Sequence, residues 1–135
     1  MSITQPHKKI VLVEDDFDFV ELIRLSLAEF NVEIVHAATG LEGLKIVKEH
    51  EPDLIILDLM MPVMNGWDFY RNLKANTNMA NIPVLVMTAL RMRGDRYFGT
   101  EIAKVEAYLN KPFMPSKLRE RVAALLAFNN LPAAA

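Results

Sequence analysis

The sequence contains no cysteine, which excludes disulfides and thiolate metal sites and fits a cytosolic setting. Long apolar runs are also missing. A bilayer span needs roughly 20 apolar residues, and stretches such as Leu54–Leu57 and Val122–Phe128 fall far short of that. The first residues, Met1–Lys9, are polar and lack the apolar core of a secretion signal. No long run carries charge of one sign, and the net charge is −2. That argues against a nucleic-acid binder dependent on a basic face. The three histidines, His7, His36 and His50, lie far apart without metal-ligand spacing. These absences predict a soluble, cytoplasmic protein with no membrane or nucleic-acid partner. What is present suits one compact unit. The 135 residues are 52% apolar and 24% charged, enough to bury roughly two-thirds of the chain's surface around a single core.

Two kinds of segment alternate. Ile10–Val13, Val32–Val35, Leu54–Leu57, Val84–Met87 and Ala107–Leu109 are short runs rich in Val, Ile and Leu, the pattern of strands buried on both faces of a parallel sheet. Between them lie stripes with helical spacing: Val20, Ile23, Leu27 and Phe30; then Leu41, Leu44 and Val47; and near the C-terminus Leu118, Val122 and Leu125. Asp16 or Asp18 can cap the first helix, with Glu21 three residues after Asp18. Glu51-Pro52 closes the second helix, Asn65-Gly66 opens the third and Pro115-Ser116 the last. The stretch Leu90–Lys104 is interrupted by Gly94 and Gly99, so a helix there is expected to be short or mobile. Five strands alternating with helices predict an α/β fold with right-handed crossovers.

In such a sheet, ligands bind outside the carboxyl ends of the strands. The first strand delivers Glu14-Asp15-Asp16 to that rim, the third Asp58, the fourth Thr88, and the fifth leads through Asn110 to Lys111. Crowded carboxylates repel, and one takes up a proton unless a cation neutralises them. Oxygen donors alone suit a hard divalent ion, and magnesium is the natural choice. Asp58 is then a nucleophile able to form an acyl phosphate. Lys111 supplies a point charge and Thr88 a hydroxyl donor.

The motifs on this rim resemble those of the receiver domain of response regulators, the phosphoacceptor half of two-component signalling. Val11-Leu12-Val13-Glu14-Asp15-Asp16 resembles the family's first strand and acidic pair, placed at Glu14 and Asp15. Asp58-Leu59-Met60-Met61-Pro62-Val63-Met64-Asn65-Gly66 resembles its phosphoacceptor motif. Val84-Leu85-Val86-Met87-Thr88-Ala89 and Tyr108-Leu109-Asn110-Lys111-Pro112-Phe113 resemble its fourth strand and its aromatic switch with Lys-Pro-Phe. The resemblance runs from about Lys8 to Phe128, with tails at 1–7 and 129–135. It implies a flavodoxin-like, doubly wound sheet of five parallel strands in order 2-1-3-4-5 with five helices. The implied activity is Mg2+-dependent transfer of a phosphoryl group onto Asp58 from a sensor histidine kinase or histidine phosphotransfer protein. The protein would be a signalling phosphoacceptor, not a dedicated enzyme, and would switch a partner-binding surface as a monomer or a phosphorylation-dependent homodimer. Magnesium would be held by Asp15 and Asp58, by the Met60 carbonyl, and by Glu14 through water. Thr88 and Lys111 would hold phosphoryl oxygens, Ala89 would leave room beside them, and Tyr108 would move inward as Thr88 is drawn to the phosphoryl group. The Lys111–Pro112 bond is expected to be cis.

Three features depart from the family pattern: a third acid at Asp16, Lys104-Val105 where glycine often precedes the fifth strand, and the basic cluster Arg91, Arg93 and Arg96. Met60 and Leu90, two residues after Asp58 and Thr88, are apolar and are expected to keep water from the phosphoryl group. Phe19, Leu22 and Leu25 give the first helix a second apolar face, expected either to dock a kinase helix or to pack internally. Three rival functions can be weighed. A flavin module needs Ser, Thr and Gly in its first loop, and here the loop is acidic. A dehalogenase-type phosphohydrolase needs a second Asp at the position of Met60. A degenerate receiver acting only as a binding module would lack a member of the site, and none is missing.

Overall fold

A computed structural model describes residues 7–61, 66–89 and 107–126. Along the chain run β1 (Lys8–Val13), α1 (Phe17–Ser26), β2 (Val32–Ala37), α2 (Gly40–His50), β3 (Leu54–Asp58), α3 (Gly66–Ala75), β4 (Val84–Thr88), β5 (Ala107–Asn110) and α4 (Pro115–Leu125). All strand pairs are parallel and the sheet order is β2-β1-β3-β4-β5. This is the doubly wound order expected from the motifs. Four helices occur among the described residues. The expected helix between β4 and β5, with Arg91, Arg93, Arg96 and Lys104, lies outside them, as do Leu90, the motif residues Pro62 to Asn65 and most of both tails.

The continuous apolar runs have a direct cause: β3 and β4 are buried along their whole length, so both faces of each strand need apolar side chains. Val11, Val13, Ile55, Leu57, Val84 and Val86 point to the side of α2 and α3, where Phe69 and Leu73 complete one core. Ile10, Leu12, Leu54, Ile56, Leu85 and Met87 point to the opposite side, against Ile23, Leu27, Leu118 and Val122 of the other. The edge strand β2 departs from expectation, because most of its residues are only half-buried. Each of β3, β4 and β5 continues one residue past its apolar run, and the added residues are Asp58, Thr88 and Asn110. Backbone pairing thus carries polar side chains to the sheet rim in fixed register.

Helix termini settle the open capping question. Asp16 is the N-cap of α1, its carboxylate accepting from the N–H groups of Asp18 and Phe19. Thr39 caps α2 by accepting from the Glu42 N–H, and Glu42 reaches back to the Ala38 N–H. Glu51 ends α2 in the left-handed region at φ 48°, directly before Pro52. The apolar stripe of α2 needs correction: Leu41 is 62% exposed, and the buried face carries Gly40, Gly43 and Val47. A Cβ at Gly43 would lie 2.9 Å from Phe69 Cε2 and 3.0 Å from Val13 Cγ2, so α2 sits too close to its neighbours for a larger residue.

Candidate functional site

The carboxyl ends of β1, β3, β4 and β5 converge on one rim. Glu14 follows β1 directly. Its N–H donates to the Ala37 carbonyl at 3.0 Å, and its own carbonyl lies 2.7 Å from His36 Nε2. A carbonyl only accepts, so His36 carries its proton on Nε2. The Glu14 side chain is fully buried, while Asp15 beside it is exposed. Asp58 closes β3 with 3% exposure. It is oriented by the Met60 N–H, which donates to Oδ1 at 3.0 Å. Thr88 is fully buried at the end of β4, and its carbonyl accepts the Lys111 N–H at 2.8 Å.

Lys111 reaches inward from the turn after β5, across a Lys111–Pro112 bond that is cis as expected. Its Nζ donates to Glu14 Oε1 at 3.0 Å and to Asp58 Oδ2 at 3.3 Å. The three acids Glu14, Asp15 and Asp58 each offer a carboxylate oxygen, and these oxygens all lie within 4.8 Å of one another. Burial pushes the Glu14 carboxyl up to about 7, and the Asp58 charge adds to the shift. Lys111 and the Asp16 N–H oppose the shift but do not overcome it. Two buried acids sharing one ammonium therefore leave a shortage of positive charge. A hard divalent cation coordinated by oxygen relieves that shortage, and this donor set, with no sulfur or imidazole in it, suits magnesium.

The structure thus brings Glu14, Asp15, Asp58, Thr88 and Lys111 to one rim, with Met60 against Asp58. Asp16 serves the helix cap, and its N–H also holds Glu14 Oε2 at 3.0 Å. Tyr108 lies on β5 opposite Val86 and is 37% exposed. Sequence reasoning missed one supporting residue, His36, and read Gly66 only as a motif and helix-opening residue. His36 steadies the acidic loop and makes a T-shaped contact with Phe17, ring centroids 5.5 Å apart; only the register of β2 against β1 places it there. Gly66, at the start of α3, lets that helix approach β3, because a Cβ there would lie 2.5 Å from Leu59 Cα and 2.7 Å from the Asp58 carbonyl. Phe19 is half-buried, its ring beneath Lys111 and beside Phe113. Of the proposed apolar docking face only Leu25 is broadly exposed, at 73%.

Comparison with known proteins agrees with this fold. Residues 10–123 match the family model of the response regulator receiver domain. The chain is 39% identical over 122 residues to the probable transcriptional regulatory protein SilR of Salmonella typhimurium, covering 90% of this chain and 52% of that protein. It is 31% identical over 119 residues to the polar-differentiation response regulator DivK of Brucella ovis, covering 88% of this chain and 96% of that one. The chain spans about half the length of SilR and of several other curated relatives. Among solved structures, the receiver domain of the sensor histidine kinase PA1611 from Pseudomonas aeruginosa superposes with a TM-score of 0.80 at 25% identity, covering 90% of this chain and 99% of that one. That receiver holds a coordinated magnesium ion in its active-site cleft.

Proposed function

The chain belongs to the response regulator receiver domain family, and on that premise we propose that Asp58 is its phosphoacceptor. The observation that carries the proposal is the pairing of a 3%-exposed Asp58 with the Lys111 ammonium at 3.3 Å, inside a cluster of three acids. An oxygen of Asp58 attacks the phosphorus of a phosphohistidine on a kinase or phosphotransfer protein. The P–N bond breaks, its electron pair stays on the imidazole, and an acyl phosphate forms. Lys111 then exchanges Asp58 for a phosphoryl oxygen, and the Thr88 hydroxyl donates to another.

Asp15, Asp58 and the Met60 carbonyl would hold magnesium, with Glu14 acting through water. The bound ion supplies positive charge that lets an anionic nucleophile and an anionic phosphoryl group meet. Thr88 and Tyr108 form the switch: drawing Thr88 toward the phosphoryl group opens space into which the half-exposed Tyr108 turns. The resulting surface binds a downstream protein.

Intact-mass spectrometry after incubation with acetyl phosphate and magnesium tests the reading. One added phosphoryl group is expected in the wild type and none in Asp58→Asn or after chelation of the ion. Addition that persists in Asp58→Asn would contradict it.

A further inference from the structure

The Lys111 ammonium, besides its two carboxylate contacts, sits 3.9 Å from the centroid of the Phe19 ring. An ammonium has three N–H donors. Glu14 and Asp58 engage two of its sides, and the ring face covers another. The Phe19 ring is itself anchored, tilted at 49° against Phe113 with centroids 5.9 Å apart, and Phe113 packs on the core beneath α1 and α4. Lys111 and Phe113 flank Pro112, so one ring touches both arms of the turn that delivers the lysine.

The chemistry of that contact is specific. The Lys111 side chain is only 12% exposed, and a poorly solvated ammonium over an aromatic face gains more than one in open water. A third carboxylate in this place would hold the ammonium harder, but it would also compete with phosphoryl oxygens and repel them. An aromatic face attracts positive charge while offering no lone pair as acceptor. We propose that Phe19 is a positioning residue for phosphoryl transfer: its ring keeps the Lys111 ammonium over Asp58 while the carboxylate partners are exchanged for phosphoryl oxygens. The proposal rests on Lys111 receiving those oxygens, as set out above. It turns Phe19 inward, away from a docking role, and so small and protein phosphodonors should both feel its loss.

Fluorinated phenylalanines at position 19 test it, because added fluorine drains the negative ring face and barely changes its shape. Two quantities are measured: the rate of Asp58 phosphorylation by acetyl phosphate at fixed magnesium, and the NMR shift of the Lys111 ε-methylene in the unphosphorylated protein. The rate is expected to fall stepwise from mono- to trifluorophenylalanine, by about two- to tenfold in all. Phe19→Leu should be as slow as the trifluoro form, and Phe19→Tyr should keep the wild-type rate. The ε-methylene resonance, shifted upfield by the ring, should relax in Phe19→Leu. A flat rate across the fluorine series overturns the proposal even if Phe19→Leu is slow, since packing alone would then be at work. An unmoved Lys111 resonance in Phe19→Leu overturns the contact itself. If the wild type took up no phosphoryl group at Asp58, the reading of the site would fall too; uptake at Asp58 with a flat series removes the role of Phe19 alone.

Discussion

Glu14 is buried against both Lys111 and Asp58, and this has a consequence for pH. Its carboxyl is raised from an ordinary value of 4.5 to about 7 by burial first and the Asp58 charge second. Between those two values the folded chain holds a proton that the unfolded chain releases. Stability of the metal-free protein therefore falls as pH rises through this window and levels off above it. The loss is on the order of 3 kcal/mol. Urea titrations between pH 5 and 8 should show this slope, and Glu14→Gln should flatten it; an unchanged slope in the variant would assign the effect elsewhere. Met60 bears on the lifetime of the phosphoryl group. Its N–H fixes Asp58 Oδ1, and its side chain is 53% exposed at the mouth of the site. Replacing Met60 and Leu90 together by Asn should speed loss of the phosphoryl group roughly threefold or more by admitting water. Unaltered decay of the phosphorylated form would dismiss water exclusion.

Among the elements, close helix approach is the feature that glycine makes possible. Gly66→Ala would place a Cβ against the backbone of Leu59 and Asp58. It should destabilise the fold by about 1–3 kcal/mol and slow phosphorylation, because β3 and α3 must separate where Asp58 sits. Gly43→Ala meets side chains of Phe69 and Val13 instead; it should lower stability by a similar amount, about 1–3 kcal/mol, and leave the phosphorylation rate unchanged. Thermal melts and phosphorylation rates of the two variants separate these outcomes. The same glycines show where the sequence was hard to read. β1, β3 and β4 were legible because strands buried on both faces show as continuous apolar runs. The face of α2 was misread through Leu41, since Gly40 and Gly43 bury a helix while contributing no hydropathy signal. β2, at the edge, needs less apolar surface and so announces itself weakly. The site acids, Thr88 and Lys111 were legible because Glu14, Asp58 and Thr88 directly follow apolar runs, and Asp15 and Lys111 come one residue later. His36 and Phe19 were not, since their roles depend on strand register and on the turn around Pro112.

At the scale of the whole molecule, a sheet with a core on each face holds four strand ends in register, so acids just beyond β1 and at the end of β3 meet the lysine just beyond β5. Binding a cation to this preformed rim should stabilise the entire domain, by about 2.7 kcal/mol at a hundredfold excess of magnesium over its Kd. The melting temperature should rise with the logarithm of magnesium concentration in the wild type and stay nearly constant in Asp15→Asn. Chemical trapping shows whether this architecture loads a phosphoryl group onto one carboxylate. After phosphorylation with acetyl phosphate and magnesium, borohydride reduces an aspartyl phosphate to homoserine, which peptide mapping then locates. Homoserine at position 58 alone is the result expected; homoserine at another position, or none from a protein that has gained phosphate, would contradict loading at Asp58.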